Sequence, residues 1–205
     1  MTSKERVRAV MEHRKPDRIP AAFEAVGPVT DRLLAHYGFT EYDQLLEKYE
    51  IDIVTASPRY IGPPLETRKN DKGEQVELSY WGYETTLHTT AMDTYGTTTY
   101  FPLHGVETVE EADAVPFPDP DWFDYGAVRE VCEKNPDKAI IVGHEGPFQM
   151  VTFLMEMDEF FMLMLDEPET AQRILDRMNA FEMEYYRRIF EAGEGRGDTV
   201  SYTHL

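Results

Sequence analysis

Residues 138–165, KAIIVGHEGPFQMVTFLMEMDEFFMLML, constrain the fold more than any other stretch of this chain. The run Ala139 to Val142 is too short for a helix and too continuously apolar for a half-exposed strand. It reads as a strand buried on both faces, the kind found in parallel sheets. Gly143 ends it, and His144, Glu145, Gly146 and Pro147 change the chemistry at once before an apolar helical pattern begins. A strand, a polar Gly/Pro turn and a helix make half of a β/α unit. Ligands in such folds gather at the carboxyl ends of the strands, which makes His144 a candidate acid/base or ligand contact. Glu145 stands at a helix start, where a carboxylate suits the dipole.

The same alternation recurs along the chain. Thr2 and Glu5 form a capping box for a first helix that must end before Pro16. Residues 18–24, RIPAAFE, read as a first strand, broken by Gly27 and Pro28; helices follow at 29–36, closed by Gly38, and from Thr40 to Tyr49. Residues 51–55, IDIVT, read as a second buried strand, with Asp52 out of place in an apolar run. A buried carboxylate needs a donor, so Asp52 is a candidate site residue or the centre of a salt bridge to Arg18 or Arg59. From Glu66 to Tyr100 the pattern turns to period two, with a turn at 70–73, which predicts an antiparallel β excursion at about 64–104. Thr108 and Glu111 form another capping box, 116–124 is a proline-punctuated connector, and a helix from Asp124 to about Asn135 leads into the strand at 139. Asp166 and Pro168 open a long helix with Ile174, Leu175, Met178, Phe181, Tyr185 and Ile189 as its buried stripe. The order predicts a parallel α/β architecture.

Composition narrows the partners. A net charge of -19 spread over 205 residues repels nucleic acid and anionic lipid. No apolar run of spanning length and no leader pattern is present, so a cytoplasmic protein without a membrane partner is expected. The single cysteine, Cys132, excludes a multi-cysteine metal cage within these residues, and no metal site is assigned to them. The methionines at 150, 155, 157, 162 and 164 read as flexible core filling. Another strand is due after Asp198, yet Val200 to Leu205 back-translates to the frame of a transposase adaptor used for sequencing libraries. Residues 199–205 are therefore expected to be a non-native tail, and 1–198 the front of one longer domain.

Several motifs in order resemble one family: T-S-K-E-R-V at 2–7, P-D-R-I-P at 16–20, Ile51-Asp52-Ile53, the segment Pro58 to Leu65, FPDPDWFD at 117–124 and V-G-H-E-G-P-F at 142–148. Together they resemble the uroporphyrinogen decarboxylase superfamily, whose fold is a (β/α)8 TIM barrel with its site at the strand carboxyl ends. The resemblance implies an α/β barrel truncated here after about three strands, and a fragment without activity of its own. It places Asp52 where the decarboxylases bind pyrrole nitrogens and Phe153 where they carry a tyrosine. Between Ile19 and Thr30 the chain has no Lys or Arg and carries Glu24 instead. A carboxylate-rich tetrapyrrole needs bidentate arginines, so the resemblance favours the corrinoid-dependent methyltransferase branch over the haem-pathway lyase. That branch implies methylcobalamin or a corrinoid protein as methyl donor, and zinc held by ligands from the second half of the barrel. Asp52 and His144 are the expected catalytic residues, facing a shared cavity; Glu24, Tyr60, Glu145 and Phe153 are expected to contact substrate. The decarboxylase of tetrapyrrole and haem biosynthesis and a barrel retained for binding without catalysis are the alternatives.

Overall fold

The computed structural model describes residues 1–90, 94–143 and 146–196, and the backbone of 199–200. His144 and Glu145 lie outside the described residues. The chain opens with α1 (Ser3–Met11), closed at its start by the Thr2 and Glu5 capping box. Helices α2 (Gly27–Tyr37) and α3 (Tyr42–Lys48) follow, the first ending on Gly38 at φ 69°. Then come β1 (Ile53–Thr55), the short β2 (Arg59–Tyr60), and the antiparallel strands β3 (Thr67–Lys69), β4 (Gln75–Leu78), β5 (Glu84–Thr89) and β6 (Thr94–Tyr100). Helix α4 (Val109–Ala114), a 3-10 turn (Pro120–Trp122), β7 (Phe123–Asp124) and α5 (Gly126–Lys134) lead to β8 (Ala139–Val142). Helices α6 (Pro147–Leu154), α7 (Met157–Asp166) and α8 (Pro168–Gly193) precede β9 (Thr199–Val200).

Three sheets result. The central one is parallel, in the order β1-β8-β9, with Ile53 opposite Ala139 and Ile141 opposite Thr199. It is small and open, with β1 and β9 as its edges, so the described topology stops short of a closed barrel. β2 pairs with β7 just past the end of β1, and β3-β4-β5-β6 form a four-stranded meander. Ile140 and Val142 are buried in one core cluster with Val128 and Cys132 of α5 and Ile174, Met178 and Ile189 of α8, and α1 packs against β8. Among the described residues, no helix is long and apolar enough to cross a membrane.

Two expectations need correction. Residues 18–24 form no strand. Pro20 has no N–H for a ladder, Ile19 is 85% exposed, and among the described residues one backbone–backbone bond, from Asp52 N to the Ala21 carbonyl, stands where a ladder would. The third strand is instead Thr199–Val200, inside the segment whose sequence reads as a non-native tail. Among the methionines, Met150 and Met155 fill the core, whereas Met157 and Met162 are exposed.

The meander is fastened to the core by Trp81. This side chain is 2% exposed and meets Phe181 of α8 at 4.8 Å and Phe117 at 5.4 Å, both edge-on. Edge-to-face rings add to the large area an indole buries. Trp81 is therefore a packing anchor, with Tyr80 and Tyr83 left on either side of it to face elsewhere.

Candidate active site at the carboxyl end of the parallel sheet

The two ends of the parallel sheet differ in chemistry. At the amino end stands Asp52, fully buried just before β1. Its carboxylate accepts from Arg6 Nη1 at 2.5 Å, Arg18 Nη1 at 2.6 Å, Ser3 Oγ at 2.7 Å and Ala21 N at 2.8 Å. Burial pushes its pKa up, but the Ala21 N–H, Ser3, Arg18 and Arg6 together outweigh burial and hold it below the usual carboxylate value. Arg6 also grips Asp17 at 2.6 and 2.9 Å, which ties α1 and the 17–21 segment to the same point. Arg59 takes no part; it lies near Asp124 and Glu130. The register puts Asp52 before Ile53, which pairs with Ala139 at the start of β8, whereas Gly143 follows the far end of that strand. Asp52 is thus an ion-pair centre at the opposite end of the strands from the Gly143 turn, and His144, expected to share a cavity with it, lies outside the described residues.

The carboxyl end is built from aromatic side chains. β8 ends at Val142, and Gly143 takes φ 137°, a conformation open to glycine at little cost. The turn delivers α6, with Gly146 as N-cap and Pro147 in the first turn. Tyr60, on β2, donates its hydroxyl to the Pro63 carbonyl at 2.8 Å. Its ring stacks on Tyr80 at 5.5 Å and meets Phe123 and Trp122 edge-on at 5.7 and 6.5 Å. Phe153, on α6, stacks on Tyr83 at 5.5 Å. Tyr80 and Tyr83 belong to one tight turn, closed by Ser79 N to the Tyr83 carbonyl and Gly82 N to the Ser79 carbonyl. One turn of the meander therefore touches both Tyr60 and Phe153, and of the expected contact residues these two are brought together. Glu24 is exposed elsewhere, beside α3, where burial and then the Glu24 charge raise the Tyr42 phenol.

Sequence reasoning missed two features here. Tyr80 and Trp122 complete the aromatic wall but sit in irregular turns that carry no periodic signal. Glu182 lies on the buried face of α8, next to Phe181, at 3% exposure, and its Oε1 has no hydrogen-bond partner among the described residues. Burial pushes its carboxyl up to about 7. The signal was available: Glu182 falls four residues after Met178 and four before Tyr186, inside the apolar stripe. Glu182 is thus a buried carboxyl that changes charge near neutrality, whereas Asp52 is fixed as an anion.

Among the described residues, the cluster of side chains that could hold a metal lies away from this end. Cys132 is buried at the α5 and α8 contact, close to Gly193. Donor atoms of His104, Glu156 and Glu159 lie within 4.8 Å of one another, but on the exposed surface where α7 begins.

The comparisons agree with this architecture. The family model for uroporphyrinogen decarboxylase (URO-D) matches residues 92–194. A solved methyltransferase from Methanosarcina mazei superposes with a TM-score of 0.53 at 18% identity, over 94% of this chain and 57% of that one. The chain thus spans little more than half the length of that structure, and the likeness is one of fold. No curated protein matches the chain. With half of its residues matched by the family model and its fold shared with a methyltransferase, the chain belongs to the uroporphyrinogen decarboxylase family.

Proposed function

We propose that this chain is the leading part of a (β/α)8 barrel that works as a corrinoid-dependent methyltransferase rather than as a tetrapyrrole decarboxylase. The observation that carries the reading is the carboxyl-end wall of Tyr60, Tyr80, Tyr83, Trp122 and Phe153, formed without a free arginine among the described residues. Arg59, next to Tyr60, is already near Asp124 and Glu130, and the segment after residue 18 presents Glu24. Such a wall offers flat apolar area to a macrocycle or to the corrinoid of a partner protein. It offers no bidentate cations to a molecule rimmed with carboxylates. The fold of the Methanosarcina mazei methyltransferase is in keeping with this branch.

In this reading Tyr60 and Phe153 bound the ligand, and His144 with Glu145 contact it from the Gly143 turn. Zinc in this chemistry activates a thiol acceptor as thiolate. The described residues do not fit that ion, since Cys132 is buried at a helix contact and is the chain's single cysteine. Its ligands are expected past residue 198.

The test is to read the gene past residue 198 and to assay the intact protein for methyl transfer from methylcobalamin to thiols. The reading predicts a His-x-Cys and a later Cys, with turnover. A second half lacking these residues, together with carbon dioxide release from a tetrapyrrole, would assign the lyase reaction; retained ligand binding without turnover would assign a binding barrel.

A further inference from the structure

Helix α7 is apolar on two sides. Phe160 and Leu163 face the core at 0% and 6% exposure, yet Met157, Phe161 and Leu165 are 47%, 44% and 77% exposed. These three recur every fourth residue, so they form one stripe along the helix. Met162, 56% exposed, widens it. A helix that is apolar nearly all round is ordinarily covered on both sides, and here the outer cover is missing among the described residues.

The charge around the stripe selects what covers it. Between Lys138 and Arg173 the sequence has no Lys or Arg, while Glu156, Asp158, Glu159, Asp166, Glu167 and Glu169 surround the helix. Beside Met162 and Leu163 lies a cavity of about 250 Å³ lined by Glu107, Glu159, Asp166 and Glu167. Glu159 is committed to His104 at 3.0 Å and to Gly105 N at 2.6 Å. Among the described residues, Asp166 and Glu167 accept from no cation. An apolar stripe beside an acid-lined hollow complements a helix with apolar residues on one face and Lys or Arg at its margin. A second copy of this chain would bring acid against acid, given a net charge of -19, and an anionic membrane is repelled likewise.

We infer that the outer face of α7 is a docking surface for a basic amphipathic helix of a partner protein. Its apolar side lies on Met157, Phe161 and Leu165, and one cation enters the hollow between Glu107 and Glu167. This surface stands independently of the reaction carried out at the sheet end.

The test uses the intact protein, read past residue 198, so that an α7 face covered by the rest of the barrel gives no binding and overturns the inference; the probe is a synthetic Leu/Lys amphipathic helix of about 18 residues, or five turns, titrated by calorimetry. Comparators are the same peptide with Glu for Lys, and a scrambled Leu/Lys peptide with no apolar face. The Leu/Lys helix is expected to bind, and Leu165→Ser and the pair Asp166→Asn with Glu167→Gln are each expected to weaken it by about tenfold, as for a central anchor. The distant pair Glu77→Gln with Glu130→Gln is expected to change it by less than about twofold. Circular dichroism confirms folding; Leu165 is so exposed that its variant decides the matter if Phe161→Ser does not fold. Equal binding of the scrambled peptide, or equal weakening by the distant pair, overturns the inference in favour of net charge alone. A native dimer that Leu165→Ser converts to monomer overturns it in favour of a second copy.

Discussion

The two ends of the parallel sheet show how one short stretch of β structure divides its labour. At the amino end, every oxygen of Asp52 is committed to donors from α1, the 17–21 segment and Ser3, so the group cannot move or change charge without breaking a network. At the carboxyl end, rings stack on one another and a glycine turn opens the backbone. Charge that is fully paired holds a fold together; polar groups left with unspent capacity are where a ligand can be received. Parallel α/β folds put their chemistry at the carboxyl ends, on the loops that follow the strands.

Substitutions break the comparison in graded steps. Asp52→Ala leaves the buried Arg6 with Asp17 as its one carboxylate and takes from the half-exposed Arg18 its carboxylate partner; breaking a buried pair costs up to roughly 3–5 kcal/mol. Urea unfolding at neutral pH should show that loss. Because the Asp52 pKa is depressed in the folded state, its contribution is present above the unfolded carboxylate value and is lost as pH falls below it. An Asp52→Ala protein of unchanged stability that no longer binds ligand would reverse the roles of the two ends.

Glu182 titrates with the opposite sign. Its folded value of about 7 lies above the ordinary 4.5, so the folded state holds the proton longer, and stability declines as pH rises from about 4.5 to 7. The difference amounts to about 3 kcal/mol. Glu182→Gln should flatten the slope of unfolding free energy against pH in that window and leave the protein more stable than wild type above it. A slope unchanged by the substitution would show that Glu182 is solvated or paired in solution.

Gly143→Ala should cost about 1–3 kcal/mol, since a Cβ at φ 137° is strained; a thermal melt measures it. Tyr60→Phe is the mildest change. It removes one hydrogen bond, to the Pro63 carbonyl, worth about 1 kcal/mol, and leaves the stack on Tyr80 intact. Ligand affinity should fall little with Tyr60→Phe and further with Tyr60→Ala, because the ring rather than the hydroxyl faces the wall.

Local rules made much of this legible. Thr2 with Glu5 and Thr108 with Glu111 announced their helices, Gly38 its stop, and the run Ala139 to Val142 its strand, because each signal is contained within a few residues. Asp52 was legible as an anomaly and Arg18 as a partner, but Arg6 was not, since the contact spans 46 residues of sequence. The strand expected at 18–24 failed because β propensity says nothing about whether a neighbour is there to pair. Tyr80 and Tyr83 entered the wall through a turn whose side-chain directions follow from Trp81 being pulled into the core, a tertiary effect. His144 and Glu145, the residues that most attracted notice in the sequence, lie outside the described residues.

The most direct test of the division between the two ends is amide hydrogen exchange on the intact protein, with and without methylcobalamin. Protection gained at residues 57–63, 79–83 and 146–153, with residues 3–18 and 50–52 unchanged, is the predicted result. Protection gained at the Asp52 end, or nowhere, would contradict it.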